Sequence, residues 1–145
     1  EGPHIVYCDK VDPSGDDAPR AFRMRQDAHS TALGKSILAN KTNDELRNIF
    51  KTYSLYKHTK NTITNFDKLI TNLNTVKKKG YSINEAETFD YVYGIGAAIL
   101  DIEGRAIAGI SISGTKSTIN LKTIPNLSAK VTSAAKKISQ RLRET

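Results

Sequence analysis

The stretch HSTALGKS, His29 to Ser36, ends in the Gly-Lys-Ser of a phosphate-binding loop. That loop needs a first glycine five residues before the Gly-Lys, so that successive backbone N–H groups cradle phosphates. His29 stands there instead. Upstream, PRAFRMRQDA carries three arginines and no apolar run, so the buried strand that should lead into such a loop is missing. A small phosphotransferase using this lysine is therefore the weakest of three readings kept open. His4, His29 and His58 have no cysteine or carboxylate at metal-ligand spacing and form no HxxxH pair, and they read as surface or loop histidines. Glu85 and Glu87 alternate on an expected strand and would share a face, where solvated glutamates are commoner than a catalytic pair. Neither a G-x-S-x-G elbow nor a G-x-G-x-x-G loop occurs. Nothing here supports an enzyme.

A binding function finds more. Ser111 and Ser113 in ISISG lie two apart on an expected strand, so both hydroxyls point to one face and Ile110 and Ile112 to the other. Two aligned hydroxyls beside glycines suit a small anion, although strand serines also commonly face water. Which face meets the core is open at this level.

The elements that must position these residues follow from periodicity. PHIVYCDKVD reads as a strand, closed by turn residues Pro13, Gly15 and Pro19. AHSTALGKSILANK is helical, with Leu33, Ile37 and Leu38 at helical spacing. Thr42 and Glu45 form a capping box at the start of a second helix. Phe66, Leu69, Ile70, Leu73 and Val76 make the stripe of a third, stopped by Gly80. Lys77, Lys78 and Lys79 sit in its last turn, where cations suit the helix dipole. After YSINEAE opens a strand region, two strands meet at a tight turn, Glu103-Gly104, with small residues along both. Ile124, Leu127, Val131, Ile138 and Leu142 form the apolar face of a terminal helix. Strand, helices, hairpin and helix without βαβ alternation predict an α+β domain around an antiparallel sheet.

The 145 residues suit one domain, and 38% hydrophobic content is ordinary. Neither a membrane-spanning run nor a signal segment is seen, and the lone Cys8 fits a reducing, cytoplasmic setting. The net charge of +7 is uneven: residues 1–30 carry −2, residues 31–113 carry +3 and residues 114–145 carry +6. The basic C-terminal segment lacks interleaved aromatics for base stacking. A solvated helix face explains it, and direct nucleic-acid binding is the alternative.

The run GYSINEAETFDYVYGIGAAILD resembles the signature of the IclR family of bacterial transcription regulators, in their effector-binding domain. Gly80, Glu87, Ile95, Gly96, Ile99 and Asp101 match it. Asn84 stands for Asp or Ser, Gly94 for Cys, Ser or Ala, Leu100 for an aromatic-type residue, and Asp90-Tyr91 for a frequent Pro-Gly. AHSTALGKSILA, KNTITNFDKLITNLNTVKKKGY and DIEGRAIAGISISG are similar to further family segments in the same order, so the likeness spans residues 1–145. The resemblance implies a GAF-like (profilin-like) domain, a central antiparallel sheet flanked by helices, that binds a small metabolite and assembles as a homodimer or homotetramer. It implies a winged helix-turn-helix domain, absent from this chain, that precedes it and binds operator DNA; no cofactor, metal or membrane is expected. The abrupt start at Glu1 agrees with that expectation. Carried over by position, the effector-binding residues are Ala32 and Leu33 through their backbone, with Asn84, Gly94, Ser111 and Ser113. On this reading HSTALGKS offers helix N-terminal N–H groups to an effector carboxylate. Asn84 is neutral and can donate and accept, which favours an anion, an organic acid above all. Gly94 widens the pocket, and Tyr91 and Tyr93 close the site or pack at an interface.

Overall fold

The structure is a computed structural model and describes residues 2–13 and 24–145. A short antiparallel pair, β1 (His4–Val6) and β2 (Arg25–Asp27), leads through a 3-10 turn (Ala28–Ser30) into helix α1 (Ala32–Leu38). Helices α2 (Asn43–Lys51) and α3 (Phe66–Lys79) follow, then strands β3 (Ser82–Glu85), β4 (Tyr93–Leu100) and β5 (Ala106–Gly114), and the long helix α4 (Ile124–Glu144). β3, β4 and β5 form one antiparallel sheet with β4 in the middle. This is the expected α+β architecture. The first strand is shorter than its sequence suggests, and Gly15 and Pro19 of the expected turn lie outside the described residues.

Local signals fix most boundaries. Thr42 accepts from the Glu45 N–H while the Glu45 carboxylate accepts from the Thr42 N–H, so the capping box satisfies both orphan donors. Asn65 caps α3, and Gly80 ends it at φ 84°, a left-handed conformation that suits glycine. In the β4–β5 turn Asp101 accepts from the N–H groups of Glu103 and Arg105, with Gly104 at φ 79°.

The sheet separates two cores. Ile95, Ala97 and Ile99 of β4 pack with Ile110, Ile112, Ile119, Ile124, Leu127, Val131 and Ala135 on the α4 side. Beyond the other face, Leu38, Leu46, Leu69, Leu73 and Val76 gather helices α1, α2 and α3. The α4 seam differs from the hydrophobic reading. Ser128, Val131, Ala135 and Ser139 are buried, whereas Ile138 and Leu142 are 37% and 45% exposed. Close approach to the strand selects small residues there, and Ser139 Oγ accepts the Leu100 N–H at 2.9 Å. The apolar stripe and the true contact line are therefore one residue out of step. Among the described residues no helix is long and apolar enough to cross a membrane.

Candidate functional site

The pleat of β4 decides what faces what. Its even-numbered residues Gly94 and Gly96 turn toward the start of α1. A Cβ at Gly96 would lie 2.6 Å from the Ala32 carbonyl group and 2.9 Å from the Leu33 nitrogen. Helix backbone thus rests directly on strand backbone, the close approach that only glycine permits. Across the sheet, Asn84, Gly94 and Ser113 stand in one row, and Ser82, Gly96 and Ser111 in the next. Asn84, Ser111 and Ser113 therefore share the face that carries Ala32 and Leu33, while Ile110 and Ile112 take the core on the α4 side. The question left open by the ISISG pattern is answered in that way.

These residues form a polar shelf rather than a closed chamber. Ala32, Asn84 and Gly94 are buried, Leu33 and Ser111 half-buried, and Ser113 exposed. A Cβ on Gly94 would stand 3.4 Å from the Ala32 Cβ and 3.7 Å from the Asn84 Cβ, between the two. Asn84 Oδ1 accepts the Glu87 N–H at 2.8 Å, so its amide NH2 is the group left to donate. Thr31 accepts the Gly34 N–H, and the earlier N–H groups of α1 have no partner within the helix. Two cavities lie elsewhere: one of about 450 Å3 along α3 and β3, and one of about 460 Å3 between α3, β4 and α4. None of the six residues lines either.

Lys35, the lysine of Gly-Lys-Ser, points away from any phosphate. Its ammonium donates to both Glu87 oxygens at 2.8 and 2.9 Å and to the Ile83 carbonyl at 2.6 Å, and both side chains are buried. The nucleotide-loop reading fails on this geometry. The expected Glu85–Glu87 face also fails: β3 ends at Glu85, Ala86 turns with φ 54°, and Glu87 folds inward while Glu85 stays exposed. Thr59 and Thr62 donate to the carbonyls of Ala86 and Glu87, and Asn61 to that of Glu85, clamping this turn. Sequence reasoning missed the clamp; its signal is the threonine pair in TKNT.

Of the histidines, His58 lies exposed in a bend as expected, whereas His29 departs from expectation. His29 is fully buried, at 0% exposure, beneath Phe50 and beside His58. His58 Nε2 lies 2.8 Å from Asp27 Oδ2, and Tyr53 donates to Asp27 Oδ1 at 2.9 Å. His4 Nε2 lies 2.8 Å from the Tyr53 hydroxyl and 3.4 Å from Asp27 Oδ1. The carboxylate partner absent by sequence spacing is supplied by β1–β2 pairing and the segment after α2. Burial would raise the Asp27 carboxyl, but hydrogen bonds from His58 and Tyr53, helped by the imidazole charges, hold it below its ordinary value. Burial pushes His29 down.

Tyr93 joins the α4-side core, whereas Tyr91 is 70% exposed and stacks on Phe89. The lysines and arginines of α4 face solvent.

Compared with known proteins, residues 1–140 match the family model described as the bacterial transcriptional regulator IclR C-terminal domain. The HTH-type transcriptional regulator KdgR of Escherichia coli is 30% identical over 95% of this chain and 53% of its own length. The chain spans little more than half the length of the curated relatives it matches first. The crystal structure of the Thermotoga maritima IclR superposes with a TM-score of 0.88 at 36% identity, covering 98% of this chain and 58% of that one. The PobR inducer-binding domain from Acinetobacter, solved with 3-hydroxybenzoic acid, shares the fold at a TM-score of 0.76 and 20% identity, over 89% of this chain and 77% of that one. The relatives are transcriptional regulators, not enzymes.

Proposed function

The chain belongs to the IclR family of bacterial transcriptional regulators, as their C-terminal domain, and from that premise we propose that it senses a small organic acid on the shelf between α1 and the sheet. One observation carries the reading. Ser111, Ser113 and the Asn84 amide share a sheet face with the first N–H groups of α1. A carboxylate would accept from the Ala32 and Leu33 N–H groups and from the Asn84 amide, and the serine hydroxyls would meet its remaining oxygens. Asn84 Oδ1 is already turned to the Glu87 N–H, which supports a donor role for the amide NH2 toward an anion. A side chain at Gly94 would press on the Ile112 carbonyl, Ala32 and Asn84, so glycine there lets Ala32 and Asn84 lie close to the strand.

In this reading the chain is one module of a cytoplasmic regulator, and a separate N-terminal winged helix-turn-helix domain binds the operator. The HTH-type names of the relatives and the half-length match support that division. The sensing domain assembles as a homodimer or homotetramer, and the effector alters the arrangement of its protomers. It does so only by binding one arrangement more tightly than another. A ligand of ~6 heavy atoms has a ceiling near ~9 kcal/mol at ~1.5 kcal/mol per atom, so the dissociation constant of a pyruvate-sized acid is no lower than ~0.3 μM.

The test is a thermal-shift screen with small carboxylates, sugar acids and aromatic acids, followed by calorimetry. A true effector at about 100 times its dissociation constant adds ~2.7 kcal/mol of stability. The Ser111→Ala/Ser113→Ala double variant is expected to bind it at least ~10-fold more weakly, as loss of hydrogen bonds to a charged group costs ~1.5–3 kcal/mol. Asn84→Asp, which places a carboxylate on the shelf, weakens it further. An acid whose affinity ignores all three substitutions would place sensing elsewhere, and silence across the panel would remove the organic-acid reading.

A further inference from the structure

The grouping of Asp27, His29 and His58 lies outside the six shelf residues, and nothing in effector sensing uses it. One carboxylate oxygen and one ring nitrogen from each histidine lie within 4.8 Å of one another. They come from the end of β2, the 3-10 turn and the segment between α2 and α3. His29 is the informative member. Its Nε2 lies 2.9 Å from the Tyr56 carbonyl oxygen, which can only accept, so Nε2 carries the proton. Nδ1 is then the lone-pair nitrogen, and it is buried with no hydrogen-bond partner among the described residues. A buried acceptor left without a donor calls for explanation. A metal ion satisfies it without bringing a proton, and an N–H donated to a backbone carbonyl is the usual outer contact of a ligating imidazole.

We propose that Asp27, His29 and His58 hold a divalent transition-metal ion of the zinc type, with His4 next to the fourth position. Imidazole nitrogens with one carboxylate oxygen suit zinc, whereas calcium and magnesium take oxygen ligands. Metal–ligand bonds of ~2.0–2.1 Å put ligand atoms of a tetrahedral site roughly 3.3 Å apart, so side-chain shifts of about 1 Å close the present spacing. The proton between His58 Nε2 and Asp27 Oδ2 leaves that position, to Nδ1 or to solvent, as the nitrogen coordinates. His4 and His58, about a quarter exposed at 25% and 27%, leave an approach from solvent. The ion ties the β1–β2 pair to the segment between α2 and α3.

Cobalt(II) is the probe, because its visible absorption reports tetrahedral coordination, and zinc is the competitor. The chelator-treated chain is expected to saturate at one cobalt per chain, to lose the signal to zinc, and to unfold at higher temperature with zinc present. His58→Gln, checked for folding by circular dichroism, weakens binding by more than the ~10–100-fold typical of outer contacts, and His4→Gln weakens it by about that much. Cys8→Ser, at the exposed lone thiol, leaves binding unchanged. Three results would overturn the site: no spectral or thermal response up to millimolar metal, unaltered affinity in folded His58→Gln, or loss of binding in Cys8→Ser.

Discussion

Lys35 and Glu87 are both ionisable, both buried and joined by two short contacts. Two charges withdrawn from water gain little net stability as a pair, but removing one strands the other. Lys35→Ala is therefore expected to lower unfolding free energy in urea by ~3–5 kcal/mol, whereas the paired apolar replacement Lys35→Met/Glu87→Leu recovers most of it. A loss below ~1 kcal/mol for the single variant would mean that Glu87 finds water or another donor. The same residue shows where local reading stops. Gly-Lys-Ser looks like phosphate chemistry in isolation, yet the partner of Lys35 is 52 positions away. His29 was misjudged for a like reason: its neighbours Asp27 and His58 reach it through strand pairing and a return of the chain, not through spacing. Ser111 and Ser113 were legible because a strand's period of two is intrinsic to the backbone.

Between elements, the contact of α1 with β4 has a tolerance that can be tested. Gly96→Ala puts a methyl group 2.6 Å from the Ala32 carbonyl group, against backbone that cannot change rotamer. The start of α1 must shift, at a cost of ~1–3 kcal/mol. Any acid bound on the shelf should lose affinity with it. Thr42→Ala is the matched control: it removes the α2 capping box, costs ~1 kcal/mol, and leaves acid binding alone. Equal binding by both variants would uncouple α1 from the ligand. The elements with strong local determinants were the ones read correctly: the α3 stripe with its glycine stop, the capping box and the β4–β5 hairpin. The α4 contact line was missed because tertiary closeness, not hydrophobicity, chose Ser128, Ala135 and Ser139.

Across the whole molecule, charge is segregated. The segment 114–145 contributes +6 of the net +7, and the charged side chains of its helix α4 lie in solvent. Such a face attracts duplex DNA through counterion release alone, with a logarithmic salt slope of ~0.9 per phosphate neutralised. The expected result is weak binding at low salt, equal for unrelated sequences and lost near physiological salt, as read by fluorescence anisotropy. Sequence preference by this chain alone would instead favour direct nucleic-acid binding, the alternative reading of the basic segment. The sheet, meanwhile, gives its two sides opposite mechanical characters. Toward α4, branched side chains interlock and can repack around a change. Toward α1, the strand meets a helix end with no side chain between them. That contact has no cushion: a group pressed against it is not absorbed by a rotamer change. On the proposed function, an acid seated beside this seam would meet backbone and not a movable side chain, and the expected selectivity among homologous acids falls away in a step rather than a slope.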